Sequence, residues 1–496
     1  MKEMIFSFCK NKINTFLFLG ALLIVMPFFV DAKTIETFNV DIDFNSGGNY
    51  GYQVEAEIKN SFTLIDFYFE NNFWESKDWT ERNRISNLLY QLNNEFENRI
   101  YPQLTSTFGE IKQYNKEEGD KITVLFYPMK EGARGYIRNI DAYEKIVNPS
   151  SNERNIIYLN SNYIEEGFLE EILAHEFMHL IQLNEKEIRK GVKEDIWLNE
   201  ARAEYAITFL GYDKKDNSYL EKRIKDFLIR PSTSLIEWNN TVYDYGVINM
   251  FSHYLVEQYG INILIDSLKA DKVGIESINE ALKKNKYTET FADIFNAWSI
   301  AVYINDCSVD NKYCYNNPKL QGVRVLANNA FMPFSRESYI SMNQSIRNWT
   351  SNWQRFVGIN GNFKIQIKSP EKCNFRVSYI YKDSKEKTHV ESFYIEEGGE
   401  KEIIIPGLLE NISPITFIFS VEGTELEKQF SSPFFVYSVT ASVVIGGVIE
   451  PETPTESEIS LPFEIDKPLG QMDRRELLMV IIRLIIHLLM QGKLVI

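Results

Sequence analysis

Residues 173–180 read Leu-Ala-His-Glu-Phe-Met-His-Leu, inside a stretch whose flanking apolar residues recur at helical spacing. Positions i and i+4 of a helix share one face, so His175 and His179 can bind one metal ion. Glu176 lies one position further round, where its carboxylate can reach a water molecule at that ion. The stretch therefore predicts a metal site built on a helix.

A second stretch, residues 197–205, supplies the rest of the predicted site with the sequence WLNEARAEY. A catalytic metal needs a third protein ligand and one open position, and Glu200 is the candidate for that ligand. Glu204 follows it at i+4 on the same predicted helix. One carboxylate can bind the metal while the other accepts a hydrogen bond from a ligand histidine.

HEFMH followed by NEARAE resembles the gluzincin zinc metallopeptidases, which carry HExxH and a glutamate ligand on a downstream helix. The resemblance implies a zinc ion held by His175, His179 and Glu200, with Glu176 as the general base. It also implies that Glu204 contacts a ligand histidine. Thermolysin-type enzymes usually have Asp at that position, so Glu204 is a departure from their pattern.

Looser matches extend this resemblance to the hyicolysin-type secreted metallopeptidases, at residues 132–138 (GARGYIR), 151–153, 156–160 and 297–304 (AWSIAVYI). The resemblance implies a zincin-type domain, in which an edge strand above the metal binds the backbone of the substrate. We place that strand at residues 134–138, with Gly135 and Tyr136 as the substrate-backbone residues. Such a strand would pair with an extended peptide through main-chain hydrogen bonds.

Residues 242–246, VYDYG, resemble the Tyr-x-x-Gly stretch of the aminopeptidases in the same clan. In that branch the tyrosine donates a hydrogen bond to the oxyanion, which makes Tyr243 the candidate here and leaves Tyr245 and His253 as substitutes. The Gly-Ala-Met-Glu-Asn motif that captures a free amino terminus in those enzymes is absent from this sequence. An endopeptidase is therefore expected.

The chain is predicted to be α+β, with a zincin-type domain of mixed sheet and active-site helices at residues 33–325. Residues 122–127 and 156–159 are expected to be strands, and helical periodicity dominates residues 165–304. An earlier helix, from about residue 80, is expected to end at Pro102. Short alternating segments at residues 326–449 predict a small antiparallel β domain of sandwich type.

The two ends of the chain are predicted to serve export and attachment. Residues 1–32 have the pattern of a signal peptide, with a retained anchor as the alternative. Residues 450–471 form a linker rich in Pro, Glu, Thr and Ser, and residues 472–496 form a hydrophobic helix. That helix could lie on a membrane surface, self-associate or dock on the chain itself; we favour the first two.

Charge and cysteine content narrow the alternatives. A formal net charge of -16 disfavours nucleic-acid binding. Cys307 and Cys314 are spaced for a small disulfide loop, which leaves Cys373 unpaired. No cysteine pair has metal-ligand spacing, so any metal must be held by histidine and carboxylate.

Together these patterns predict a secreted or cell-surface zinc endopeptidase that acts on protein or peptide substrates. The alternative is a surface adhesion or scaffold protein that keeps a metallopeptidase fold with weak or no turnover. An intact Glu176 favours the enzyme.

Overall fold

The computed structural model describes residues 35–45, 52–114, 120–332, 339–359, 361–383, 385–405, 414–424 and 434–444. The predicted signal peptide, linker and C-terminal hydrophobic helix lie outside these described residues. No helix in the described ranges has the length and apolar character needed to cross a membrane.

A six-stranded mixed sheet forms the N-terminal part of the described chain, in the order β1-β2-β3-β4-β6-β5. Strands β3, β4 and β6 are parallel, and the outer pairs are antiparallel. Every residue of β4 is buried, as expected for an apolar strand covered on both faces. The strands are β1 Ile35–Asn39, β2 Gln53–Ser61, β3 Ile65–Glu70, β4 Ile122–Tyr127, β5 Gly135–Tyr136 and β6 Ile156–Asn160.

Ten α-helices accompany this sheet in the described residues, and seven of them occupy the region that the periodicity predicts as helical. They are α1 Asn71–Glu75, α2 Trp79–Glu95, α3 Tyr101–Phe108, α4 Leu169–Gln182, α5 Ile196–Phe209, α6 Tyr219–Ile229, α7 Val242–Tyr259, α8 Asn262–Lys269, α9 Gly274–Lys284 and α10 Phe291–Ile304. Capping boxes begin α2, α7 and α10. In each of them, the side chain of an acidic residue three positions after the cap accepts a hydrogen bond from the backbone N–H of the cap residue.

The prediction that the early helix ends at Pro102 is wrong. A π-helical turn, Phe96–Ile100, joins α2 directly to α3, and Pro102 stands within the first two positions of α3. Proline is tolerated there because N–H groups in a first turn need no partner within the helix.

Two further sheets lie between residues 328 and 444, and their strands are antiparallel except for the parallel pair β7–β9. The four-stranded sheet has the order β13-β10-β15-β8, and the five-stranded sheet has the order β12-β11-β14-β9-β7. The chain is therefore α+β. These strands are β7 Asn328–Phe331, β8 Tyr339–Arg347, β9 Thr350–Val357, β10 Asn362–Lys368, β11 Cys373–Lys382, β12 Thr388–Ile395, β13 Glu400–Ile405, β14 Ile415–Thr424 and β15 Phe434–Val444.

The five-stranded sheet packs against α10 and shares a core with the helices. The ring of Trp349 lies 4.8 Å from that of Phe291 and 5.4 Å from that of Phe295. The indole N–H of Trp353 donates to the carbonyl of Ser299 at 3.0 Å. Both tryptophans belong to the same buried apolar cluster as the helices of residues 165–304.

The cysteine prediction is confirmed. Cys307 and Cys314 form a disulfide in the loop after α10, and Cys373 is free and buried.

Candidate metal centre

Helix α4 presents two imidazoles on one face. The Nε2 atoms of His175 and His179 lie 3.1 Å apart. The opposite face of α4, including Phe177 and Met178, is fully buried in the main core. Packing of that face fixes the rotation of the helix, so the two rings point towards the same open region.

Helix α5 brings a carboxylate to the two imidazoles. Glu200 Oε2 lies 3.2 Å from His175 Nε2, and Glu200 Oε1 lies 3.5 Å from His179 Nε2. Two ligand atoms bound tetrahedrally to zinc at usual bond lengths would be about 3.3 Å apart. The ligand atoms of these three residues also lie within 4.8 Å of one another. The spacing and the donor set therefore fit a divalent metal such as zinc.

Two observations on Glu200 agree with that fit. Its Oε2 atom is buried and, apart from the His175 ring at 3.2 Å, has no polar partner among the described residues. Burial acts to raise the pKa of Glu200, yet the adjacent imidazoles of His179 and His175 hold it well below its usual value. The carboxylate is thus ionised and ready to act as a ligand.

Glu176 has the opposite electrostatic character. Its side chain is only 6% exposed, and burial raises its pKa to about 8, with His179 opposing the shift and Glu200 adding to it. A carboxyl group with a pKa near neutrality can both accept and return a proton.

Glu204 lies directly behind His175, where the spacing of the second stretch predicts it. Its Oε1 atom is 3.7 Å from His175 Nδ1. The carboxylate is fully buried and accepts two hydrogen bonds from Arg223, at 2.7 and 2.8 Å, and one from Asn249 at 3.3 Å. These contacts fix its position beside the His175 ring.

The sequence does not reveal Arg223 or Asn249 as members of the site. They come from α6 and α7, and only tertiary packing brings them to Glu204. Gln182 is a third unpredicted neighbour, since its Nε2 atom lies 3.4 Å from His179 Nδ1 and donates to the carbonyl of Asn199 at 2.9 Å.

The prediction that places Tyr243 in the site requires correction. The Tyr243 ring stacks under the guanidinium of Arg230, 4.3 Å away, and lines a separate cavity of about 720 Å³. Tyr245 instead lines both clefts beside His175 and Glu176. Residues two positions apart on a helix are rotated by about 200° around its axis, so the side chains of Tyr243 and Tyr245 point in nearly opposite directions.

The other substitute, His253, lies outside the site. It is buried against Thr208 Oγ1, 3.1 Å from its Nε2 atom. Burial lowers its pKa to about 4. His253 is therefore a neutral packing residue.

Gly135 and Tyr136 form the edge strand β5, antiparallel to β6 and next to the metal-ligand helix. A Cβ atom added at Gly135 would lie 3.1 Å from Glu176 Cγ and Oε1, so the strand passes very close to the candidate base. The Tyr136 ring faces away into the core, stacked between Phe44 and Tyr158. At Tyr136 the backbone, and not the ring, therefore faces the cleft.

Two clefts meet at His175, Glu176, Gly135 and Tyr245. The first, named the Lys222 cleft, has a volume of about 430 Å³ and is lined in addition by Lys130, Arg134, Ile172, Tyr219, Lys222 and Arg223. The second, named the Trp238 cleft, has a volume of about 380 Å³ and is lined in addition by Tyr136, Asn139, His179, Asn199, Glu200 and Trp238. A peptide lying along β5 would place side chains in both clefts.

These features define a candidate metal site beside a sheet edge. Neutral metalloprotease ShpI of Staphylococcus hyicus is 25% identical to this chain over 236 residues, which are 43% of this chain and 52% of that protein. The chain spans about half the length of this curated relative. The distant similarity supports a relationship to metalloproteases, and the His/Glu triad supplies a site for the metal.

No protein-family model matches the chain. Among solved structures, CorA, a surface-associated copper-binding protein of Methylomicrobium album BG8, is 7% identical, covers 24% of this chain and 98% of its own, and has a TM-score of 0.17. The pre-peptidase C-terminal domain of a collagenase from Bacillus anthracis is 10% identical, covers 24% of this chain and 95% of its own, and has a TM-score of 0.15. These TM-scores are too low to indicate a shared fold.

Proposed function

We propose that this chain is an exported, gluzincin-type zinc endopeptidase with a zincin-type catalytic domain. The observation that carries the proposal is the convergence of His175, His179 and Glu200 at ligand spacing, with the buried carboxyl group of Glu176 beside them. The distant similarity to a neutral metalloprotease supports the reaction class.

When bound, zinc would supply Lewis-acid polarisation of the scissile carbonyl and activation of a water molecule. Glu176 accepts the proton from the attacking water and later returns it to the departing amine. The hydroxyl of Tyr245 donates a hydrogen bond to the negative charge that develops on the carbonyl oxygen. The backbone of β5 pairs with the extended substrate and aligns the bond with Glu176.

The wider architecture belongs to the same proposal. Residues 1–32 direct export, residues 33–325 form the catalytic domain, and residues 326–449 form the β domain. Residues 450–471 and 472–496, which lie outside the described residues, would serve as a linker and as a segment for attachment to a membrane surface or to a second copy. The proposed protein is a secreted or cell-surface peptidase.

The test compares casein digestion by the purified chain with that by the Glu176→Gln variant. We expect about one zinc per chain in both proteins, cleavage by the wild type alone, and loss of that cleavage with a chelator. The control is Glu170→Gln on the same helix, which lies outside both clefts. A wild-type chain that binds zinc but cuts nothing would contradict the proposal and favour an adhesion or scaffold role.

A further inference from the structure

The two clefts differ in charge. Four cationic side chains line the Lys222 cleft, namely Lys130, Arg134, Lys222 and Arg223. No lysine or arginine lines the Trp238 cleft within the described residues. Any peptide that spans the centre would therefore meet a different electrostatic environment on each side of the scissile bond.

Lys222 is one of two cations in this cleft that have no ion pair with a described residue. Arg223 is paired with Glu204, and Arg134 is paired with Glu166 at 2.9 Å. The ammonium groups of Lys130 and Lys222 have no ion-pair partner in the part of the chain that the structure describes. Burial lowers the pKa of Lys222, as do the neighbouring Arg223 and Arg134, while Asp226 and Glu204 act to raise it.

The carboxylates at the Lys222 cleft offset this charge only in part. Glu131 is exposed to solvent at the rim. Glu171 is buried, and its Oε1 atom lies 3.5 Å from Lys215 Nζ. Burial also raises the pKa of Glu171. Glu176 is committed to proton transfer in the proposed reaction.

We propose that the Lys222 cleft selects an acidic side chain, Asp or Glu, at one of the two substrate positions that flank the scissile bond, with Lys222 as the specificity-determining residue. This inference rests on the proposed function. A substrate carboxylate would pair with the ammonium of Lys222, which is exposed to solvent and has no ion-pair partner among the described residues. The Trp238 cleft would take an uncharged side chain on the other side.

The first experiment maps the cleavage sites of the zinc-loaded full chain in a complex peptide mixture by mass spectrometry. We expect Asp and Glu to be enriched at one flanking position and not at the other. The second experiment uses a matched peptide pair that differs only by Glu or Gln at the enriched position. We expect kcat/KM to be about tenfold higher for the Glu peptide.

Variants at residue 222 test whether the preference for an acidic substrate side chain depends on Lys222. Lys222→Met should bring the Glu/Gln ratio of kcat/KM close to one, and Lys222→Glu should invert it. Lys225→Glu is the matched control, because it makes the same charge change on the same helix at an exposed position outside both clefts. Its ratio should equal that of the wild type, and circular dichroism checks that each variant is folded.

The outcomes separate the two proposals. Cleavage without acidic enrichment at either flanking position overturns the inference and leaves the proposed function standing. An enrichment that Lys222→Met leaves unchanged also overturns it. A zinc-loaded chain that cleaves nothing in the mixture overturns both the inference and the proposed function.

Discussion

The hydroxyl group is all that distinguishes tyrosine from phenylalanine, so Tyr→Phe substitutions isolate a hydrogen bond to the developing oxyanion. Tyr245 lines both clefts beside Glu176, and Tyr243 faces a different cavity. We expect Tyr245→Phe to lower kcat by about 10²- to 10³-fold with little change in KM. Steady-state kinetics on a fluorogenic peptide measure this effect.

Tyr243→Phe on the same helix is the control and should keep kcat within about twofold of the wild type. If instead Tyr243→Phe loses activity and Tyr245→Phe does not, the assignment from the structure is wrong and the sequence pattern was the better guide.

A second residue-scale prediction concerns the buried pair of Glu204 and Arg223. Glu204→Gln should lower zinc affinity by about 10- to 100-fold, because the amide is a weaker partner for His175. The same change removes one of the two carboxylates that pair with the buried Arg223, the other being Asp226 at 3.5 Å, and should lower the folding free energy by about 1–3 kcal/mol. Zinc competition titrations and urea unfolding of the metal-free chain measure the two effects.

The double variant Glu204→Gln/Arg223→Met separates them. Removing the buried Arg223 charge should restore part of the folding free energy, and zinc affinity should stay low. Recovery of both quantities together would mean that Glu204 acts only through stability.

Sequence spacing predicts part of this site and omits part, for a physical reason. The pairing of His175 with His179, and of Glu200 with Glu204, follows from the i, i+4 rule, because a helix fixes which of its own side chains share a face. The meeting of the two helices does not follow from that rule. The choice between Tyr243 and Tyr245 depends on the rotation of α7 against the rest of the core, which no local pattern encodes. Partners from other helices are set by the same tertiary packing.

At the scale of single elements, strand β5 is the part of the fold nearest to the candidate base. A methyl group at residue 135 would lie 2.9 Å from Leu159 Cδ2 and 3.1 Å from Glu176 Oε1. Gly135→Ala must therefore displace the edge strand or the carboxyl group. We expect kcat/KM to fall by about 10²-fold and the free energy of unfolding to fall by about 1–3 kcal/mol.

Gly322→Ala is the matched control, because a Cβ atom there meets nothing within 4 Å. It should leave both peptide hydrolysis and urea unfolding unchanged. Full activity in Gly135→Ala would show that the close approach of β5 to Glu176 plays no part in turnover.

Elements with strong periodicity could be predicted from the sequence, and their junctions could not. The buried strands at residues 122–127 and 156–160 and the helices between 165 and 304 stand where their patterns place them. The periodicity does not predict that the helix continues past Pro102. It continues because a π-helical turn at Phe96–Ile100 joins α2 to α3 without a break. Local composition does not show whether a proline interrupts a helix or begins one.

At the scale of the whole molecule, the five-stranded sheet is joined to the helices of residues 165–304 by both apolar and polar contacts. Apolar contacts between Trp349 and α10 are reinforced by buried polar bonds, such as Ser299 Oγ to Ser351 Oγ at 2.8 Å. Arg376 of β11 also pairs with Asp293 in the first turn of α10 at 3.2 Å. We expect the helices and this sheet to unfold together.

Trp349→Ala tests that expectation. Deleting this large buried side chain should lower the free energy of unfolding by about 3–5 kcal/mol. The helices and the five-stranded sheet should both be destabilised, because they share one core. Trp79→Ala is the control, since Trp79 is 78% exposed, and it should change stability by less than about 0.5 kcal/mol. Loss of peptide hydrolysis and loss of far-ultraviolet circular dichroism, followed against urea, should shift together in Trp349→Ala. Two separate transitions, with only one displaced, would mean that the β-sheet region is an independent appendage of the catalytic helices.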